Sequence, residues 1–359
     1  MPSQHETLKR KIDSLARTAA SSQSFRIALL RKLREAIPFD AACCTLVDPQ
    51  TLLSTGAVTE EGVESIHQAL FANEYLQEDV NRFTDLALEA DPVASLHGTT
   101  EGQPERSARY RNVLHPAGFR DEMRAALVFK GGCYGYLTLF RLQDQPVFQK
   151  RERSLLSSLV PAIAFHLRST SMLMPDDGAE RSEEQPGILI VSESLAVLSS
   201  NEASEHWLSM LRNWENADIA ALPKPVQAVC FRALSESGEG SASTAKVCMR
   251  TPEGRYMTIR ASKLTSSTRQ TQLAVWFEQA APSDVLPVIA ESYGLSEREK
   301  RVLACIIQGQ STKSIARMLN ISAYTVQDHL KSIFAKTGIS SRSELIWQLY
   351  SRFSPDSGF

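Results

Sequence analysis

The sequence predicts a multidomain chain: two α+β blocks followed by an all-α block of four short helices. Three observations carry that reading. The length, 359 residues, exceeds one ordinary domain and suits two or three. The segment 176–186, DDGAERSEEQP, is acidic, polar and free of large apolar side chains, which is linker chemistry. From Tyr293 onward, short apolar stripes at helical spacing alternate with capping and stop residues.

Composition narrows the class. With 43% hydrophobic and 22% charged residues, the chain matches globular proteins and neither disordered nor fibrous ones. No stretch approaches 18 uninterrupted apolar residues, and the N-terminus has no apolar signal core, so a cytoplasmic protein without a membrane segment is expected. The six cysteines show no CxxC spacing, and the seven histidines no HExxH pattern, so no metal site and no cofactor is expected. Cys43 and Cys44 are neighbours on a strand, where successive side chains face opposite ways; at most one can enter a pocket.

In the first block, Leu8, Ile12 and Leu15, then Phe25, Leu29, Leu33 and Ile37, recur at helical spacing up to Pro38. Ala41 to Val47 reads as a strand closed by Asp48-Pro49. Arg124 to Phe129 and Tyr134 to Leu142 flank Lys130-Gly131-Gly132, a hairpin signal. Leu155, Leu156, Leu159, Ile163 and Leu167 give a closing helix, with a kink expected at Pro161. On strand 134–140, Tyr134, Tyr136 and Phe140 alternate and suit either a core or a cavity wall.

Pro38-Phe39-Asp40, the stretch from His115 to Glu122, and Tyr134 to Leu139 make this block, 1–175, resemble the GAF family of sensory domains. The resemblance implies a cupped sheet able to hold a small ligand. The second block, 187–281, opens with a strand at Ile188 to Val191, a second run at Leu195 to Leu198, and Asn201-Glu202-Ala203 ahead of an amphipathic helix. Three strand-like runs follow, at 245–250, 256–262 and 273–278. A strand pair, a helix and a three-stranded meander are similar to the PAS family. A softer boundary is expected near 281–286, where Pro282 and Pro287 interrupt the pattern before a new helical block.

The third block, 288–353, is the most sharply written. Ser296 and Glu299 form a capping box before a stripe of Val302, Leu303, Ile306 and Ile307 that stops at Gly309. Ser311 opens a second helix with Ile315, Ala316, Met318 and Leu319 expected to face inward. After the turn Asn320-Ile321-Ser322, a third helix buries Val326, Leu330 and Ile333 and leaves Tyr324, Gln327, Asp328 and Lys331 outside. Ser341 and Glu344 suit the start of a fourth. Two short helices joined by a three-residue turn have the helix-turn-helix geometry, in which the later helix lies in the DNA major groove.

The segment resembles the LuxR-type DNA-binding domain of bacterial transcription regulators through Leu295-Ser296, Glu299, Val302-Leu303, Gly309, Ile315-Ala316, Leu319, Ile321-Ser322, Thr325-Val326, His329, Lys336, Gly338 and Arg342. By that resemblance, Gln327, Asp328 and Lys331 read bases, while Lys313, Ser322, Thr325, His329, Lys336 and Arg342 lie near phosphates. Asp328 departs from the pattern by placing an anion on the groove face. Leu345, Ile346, Leu349 and Tyr350 offer a dimer surface. The implied partners are double-stranded DNA, RNA polymerase and a second copy of the chain, with control by a small effector or, alternatively, by protein contact through the front blocks.

Charge is divided accordingly. The formal net charge of -2 splits into +5 for 293–353, where 9 basic face 4 acidic side chains, -6 ahead of it and -1 from Asp356. No phosphate-binding Gly-rich loop, nucleophile elbow or paired-carboxylate signal occurs, so no catalytic residue is expected.

Overall fold

A computed structural model of the chain describes residues 4–171, 185–235, 244–251, 254–264 and 270–345. The 176–186 linker lies outside these except for its last two positions. Helices α1 (Gln4–Thr18) and α2 (Ser22–Arg34) lead into β1 (Ala41–Val47), β2 (Ser54–Thr59), α3 (His67–Leu76), α4 (Phe83–Leu86), β3 (Val93–Ser95), α5 (Leu96–Thr99), β4 (Phe119–Phe129), β5 (Gly132–Leu142) and α6 (Lys150–Ser171). The strands form one antiparallel sheet in the order β2-β1-β5-β4-β3.

The β4–β5 hairpin turns at Lys130 and Gly131, both at positive φ (49° and 85°), the paired left-handed residues of a type I′ turn. β4 starts at Phe119, five residues before its apolar run. Its start is written in charged residues, and Asp121 is held by the backbone N–H groups of His97 (3.0 Å) and Phe148 (2.8 Å). Gly135 is required by close approach: a Cβ there would stand 2.6 Å from the Thr45 carbonyl oxygen of β1. α6 runs on through Pro161.

One sheet face is dry. Ala42, Cys44 and Leu46 of β1, Met123, Ala125 and Leu127 of β4, and Leu137 and Leu139 of β5 pack against α1, α2 and α6 in one core. Cys43 points to the opposite face, as strand alternation requires. Tyr136 and Phe140 go with Cys43 to that face, where they line a cavity; Tyr134, beyond a register shift, joins the dry core.

The second domain comprises β6 (Gly187–Ser192), β7 (Val197–Ser200), α7 (Glu202–Glu215), α8 (Lys224–Ser235), β8 (Lys246–Arg250), β9 (Tyr256–Leu264) and β10 (Gln272–Gln279), with sheet order β7-β6-β10-β9-β8. Asn201 caps α7 in a reciprocal box with Ser204. In chain order within each domain, the two sheets have the same strand sequence. The cores interlock: Leu53 of the first domain belongs to the second domain's core, and Phe71, Ala72 and Tyr75 of α3 pack on it. The Asp48 carboxylate also accepts from the Cys248 backbone N–H at 2.9 Å.

The stretch near 281–286, expected as a soft boundary, begins a helix, α9 (Pro282–Ser292). Pro282 sits in its first turn, where no intrahelical N–H is missed. Val285, Val288 and Ile289 continue the first domain's core toward α10 (Glu297–Ile307), α11 (Thr312–Met318) and α12 (Ala323–Thr337), and Tyr134 Oη donates to Glu291 at 3.1 Å. Ser296, Ser311 and Ser322 cap the three C-terminal helices; Gly309 and Gly338 end α10 and α12 at φ 75°. Met318, expected inside, is 58% exposed, because α11 is too short to bury more than the Ile315 stripe.

Glu299 ties α10 to α12. Burial alone would raise its pKa, but hydrogen bonds from Lys336 Nζ, Ser332 Oγ and the Ser296 N–H, each 2.6 Å, hold it at about 2 against an ordinary 4.5. Its folded carboxyl therefore resists protonation more than the unfolded one. The stabilisation is complete above pH 4.5 and is lost as pH falls toward 2. With Lys336 partly exposed, it amounts to on the order of 2 kcal/mol. Glu299→Ala should lower hydrogen-exchange protection of α10 and α12 at neutral pH, and acid should do the same to the unaltered chain but not further to the variant.

Candidate nucleic-acid interface

The orientation of α12 follows from two side chains. Val326 and Ile333 are fully buried, each contributing about 1.5 to 3 kcal/mol of apolar transfer, far more than the propensity differences along the helix. Leu330 packs beside them, half-buried. Burying this stripe turns positions 324, 327, 328 and 331 outward as one face, at i, i+3, i+4 and i+7.

That face is open. Tyr324 is 71% exposed, Gln327 is exposed, and the side chains of Asp328 and Lys331 are 50% and 75% exposed. Lys331 Nζ lies 3.8 Å from Asp328 Oδ1, so the anion that departs from the resembled pattern has a cation one turn away. Two exposed groups at that distance are held together weakly and separate at little cost. The side chain types match base edges: Gln for adenine, Lys for guanine, Asp as an acceptor for cytosine.

The turn between α11 and α12 is set by Asn320 at φ 53° and by the Ser322 cap. Ser322 Oγ accepts from the Thr325 N–H at 3.0 Å and lies 2.8 Å from the Thr325 hydroxyl. Both hydroxyls therefore stand at the N-terminus of α12, where the helix dipole and free N–H groups favour a phosphate. Lys313, in the first turn of α11, is exposed.

The remaining positions expected near phosphate are differently placed. Lys336 is bonded to Glu299 and to the Gly294 carbonyl (3.3 Å), so its charge is largely answered inside the chain. Arg342 donates to the Gln310 carbonyl, bracing the turn after α10. His329 is half-buried, and its Nε2 is enclosed without a partner among the described residues, so that nitrogen does not face outward. Of the dimer positions, Leu345 is 2% exposed and packs into its own chain's core; it is not free apolar surface. Ile346, Leu349 and Tyr350 lie outside the described residues.

Residues that the sequence left unassigned are also present. Arg298, Arg301 and Arg317 are exposed and add to the basic surface of this domain. Their signal was available in the net +5 of the segment, but no motif position singles them out. Among the described residues, no group of three or more His, Cys, Asp or Glu side chains is arranged to hold a metal ion, and no helix is long and apolar enough to cross a membrane.

Residues 293–348 match the family model for bacterial regulatory proteins, luxR family. The monoamine regulon transcriptional regulator of Klebsiella aerogenes is 43% identical over 63 residues, which cover 18% of this chain and 26% of that protein. The HTH-type transcriptional regulator MalT of Yersinia pestis is 32% identical over 63 residues, 18% of this chain and 7% of that protein. Among solved structures, Vibrio cholerae VqmA shares 16% identity, covering 47% of this chain and 84% of that one, with a TM-score of 0.20. Escherichia coli SdiA shares 12% identity, covering 96% of this chain and 95% of that one, with a TM-score of 0.34. The sequence matches span about a quarter or less of the relatives' lengths. The family shown is thus that of one domain: residues 293–348 carry a luxR-family helix-turn-helix domain.

Proposed function

We propose that the chain is a sequence-specific DNA-binding transcriptional regulator of the LuxR type, with two sensory domains, GAF-like and PAS-like, in front of its helix-turn-helix. The observation that carries this reading is the face of α12: a helix seated by its buried stripe and presenting Gln327, Asp328 and Lys331 to solvent, with none of the other described residues covering them. Lys331 and Gln327 read base edges. Lys313, Ser322 and Thr325 position the domain on phosphates. Asp328 accepts from a cytosine amino group and repels bases that offer only acceptors there, so it adds discrimination at some cost in affinity.

The chain acts in the cytoplasm as a homodimer, the arrangement by which helix-turn-helix proteins span two half-sites, with RNA polymerase as the downstream partner. The front domains support a sensory role through their position. Both α+β cores touch elements that lead to α9, and α9 leads directly into α10. A shift in the front domains would move the DNA-binding domain as a body, altering half-site spacing. The sensed signal is a small effector.

Selection of bound duplexes from a randomised pool by the full chain tests the reading. An enriched sequence is expected, and recovery of random sequence would refute it. On the enriched duplex, Gln327→Ala and Lys331→Ala should each cost about 1 to 3 kcal/mol and relax one position of the preference. Lys313→Ala should weaken all duplexes alike and reduce the salt slope by about 1.

A further inference from the structure

The second face of the first domain's sheet is polar. Cys43 and Thr45 of β1, Glu122 and Arg124 of β4, and Thr138 and Phe140 of β5 share it, since Cys43 pairs with Thr138 and Thr138 with Arg124 across the strands. α3 covers this face and leaves a cavity of about 40 Å3. That is room for roughly three water molecules. Phe71 and Tyr75 of α3, with Phe140, form its aromatic wall.

Charged side chains bond to one another around this space. Arg109 Nε donates to Glu122 Oε1 at 2.7 Å, and Arg109 lies 3.8 Å from Asp79. Arg124 donates to Glu74 at 2.6 Å and stacks on the Phe83 ring at 3.8 Å. All five side chains are less than a tenth exposed. Three carboxylates face two guanidiniums, leaving one negative charge over. Two further cations stand outside this set: Arg232, 5.7 Å from the Tyr75 ring centroid, and Lys224, which is paired with Glu64. Burial, reinforced by Lys224, holds His67 at about 3, so it is neutral and adds no positive charge.

A buried network of this kind is a poor way to stabilise a fold, because apolar side chains of the same volume do as well or better. It also leaves groups unused. His67 and Arg124 are each 4% exposed, yet His67 Nδ1 and Arg124 Nε have no hydrogen-bond partner among the described residues. Both bonds that Arg109 makes to Glu122 go to Oε1; Oε2 accepts from no described residue. His67 Nε2 is 3.6 Å from the Cys43 thiol, and a proton on that nitrogen makes Nδ1 an acceptor.

We propose that this cavity is a binding site for a small organic cation: a protonated primary amine with an apolar or aromatic body. The ammonium is matched by Glu122 Oε2, the Thr138 hydroxyl and His67 Nδ1, and it completes the charge balance of the network. The body lies against Phe71, Tyr75 and Phe140, whose ring faces also favour the cation. Arg124 Nε is available to a neutral oxygen on that body. The inference names the ligand class for the sensory part of the regulator reading, on which it rests for its consequence though not for its chemistry.

The same geometry gives the ligand a route outward. A body larger than the cavity has to displace α3, whose Phe71, Ala72 and Tyr75 also pack on the second domain's core. Lys224 of α8 reaches Glu64, just ahead of α3, at 2.6 Å. Occupancy on one side of α3 is therefore felt in the second domain.

Titration of the full chain with benzylammonium, and with benzyl alcohol and benzoate as neutral and anionic counterparts, tests the site without DNA, so the outcome stands whether or not the chain selects a duplex. The ammonium should bind at least about tenfold more tightly than either counterpart. Glu122→Gln and Thr138→Val should each weaken it severalfold. Thr138→Val leaves the ion network whole and remains informative if Glu122→Gln fails to fold by circular dichroism. No binding of the ammonium, equal binding of the three probes, or undiminished binding to folded Thr138→Val would overturn the proposal.

Discussion

A five-stranded sheet has two faces, and in this chain each must be covered by something that also belongs elsewhere. The dry face of the first domain is closed by α1, α2 and α6, and the core made there runs on through Val285, Val288 and Ile289 into the helices of the C-terminal domain. The polar face is closed by α3, whose outer side completes the second domain's core with Phe71, Ala72 and Tyr75. Neither neighbouring domain is attached by a linker alone. Because packed cores shift between discrete arrangements more readily than they deform, movement of either cover has consequences beyond its own domain.

The C-terminal domain divides its charges into two groups. Lys336 is committed to Glu299 and Arg342 to the Gln310 carbonyl, so both build the domain that carries the reading face. Lys313 and Lys331 remain at the surface, and Ser322 and Thr325 combine both tasks, capping α12 while standing where its dipole favours an anion. Asp328 is tolerated on the open face because Lys331 lies one turn away, and the weakness of that exposed pair lets both groups turn to other partners.

How much could be read from the sequence varies with how local the signal is. The helices from Ser296 to Gly338 were legible because each cap and each stop lies within a few residues of the helix it bounds. Strand β1 and the β4–β5 turn were legible for the same reason. The start of β4 was hidden by Arg120, Asp121 and Glu122, whose charges are answered by residues from distant segments. Helix α9 was hidden by two prolines that the fold accommodates, one of them in the first turn. The cavity was legible only in part: Tyr136 and Phe140 suited a core or a cavity wall, but nothing local announced its charged lining. Its charged groups are scattered from Glu74 to Glu122 and Arg124, and only strand register and the placement of α3 bring them together. The inward turn of Met318 and the outward role of Leu345 failed for a related reason: periodicity gives a face, and tertiary packing decides what that face meets.

The dependence of one domain on another's helix is the central claim, and differential scanning calorimetry of the full chain tests it most directly. If α3 is a shared part of both cores, the two α+β domains should unfold in one cooperative transition, and Asp48→Ala, which removes the bond to the Cys248 N–H, should lower its midpoint without splitting it. Two resolved transitions for the front domains, with one unaffected by Asp48→Ala, would contradict the account.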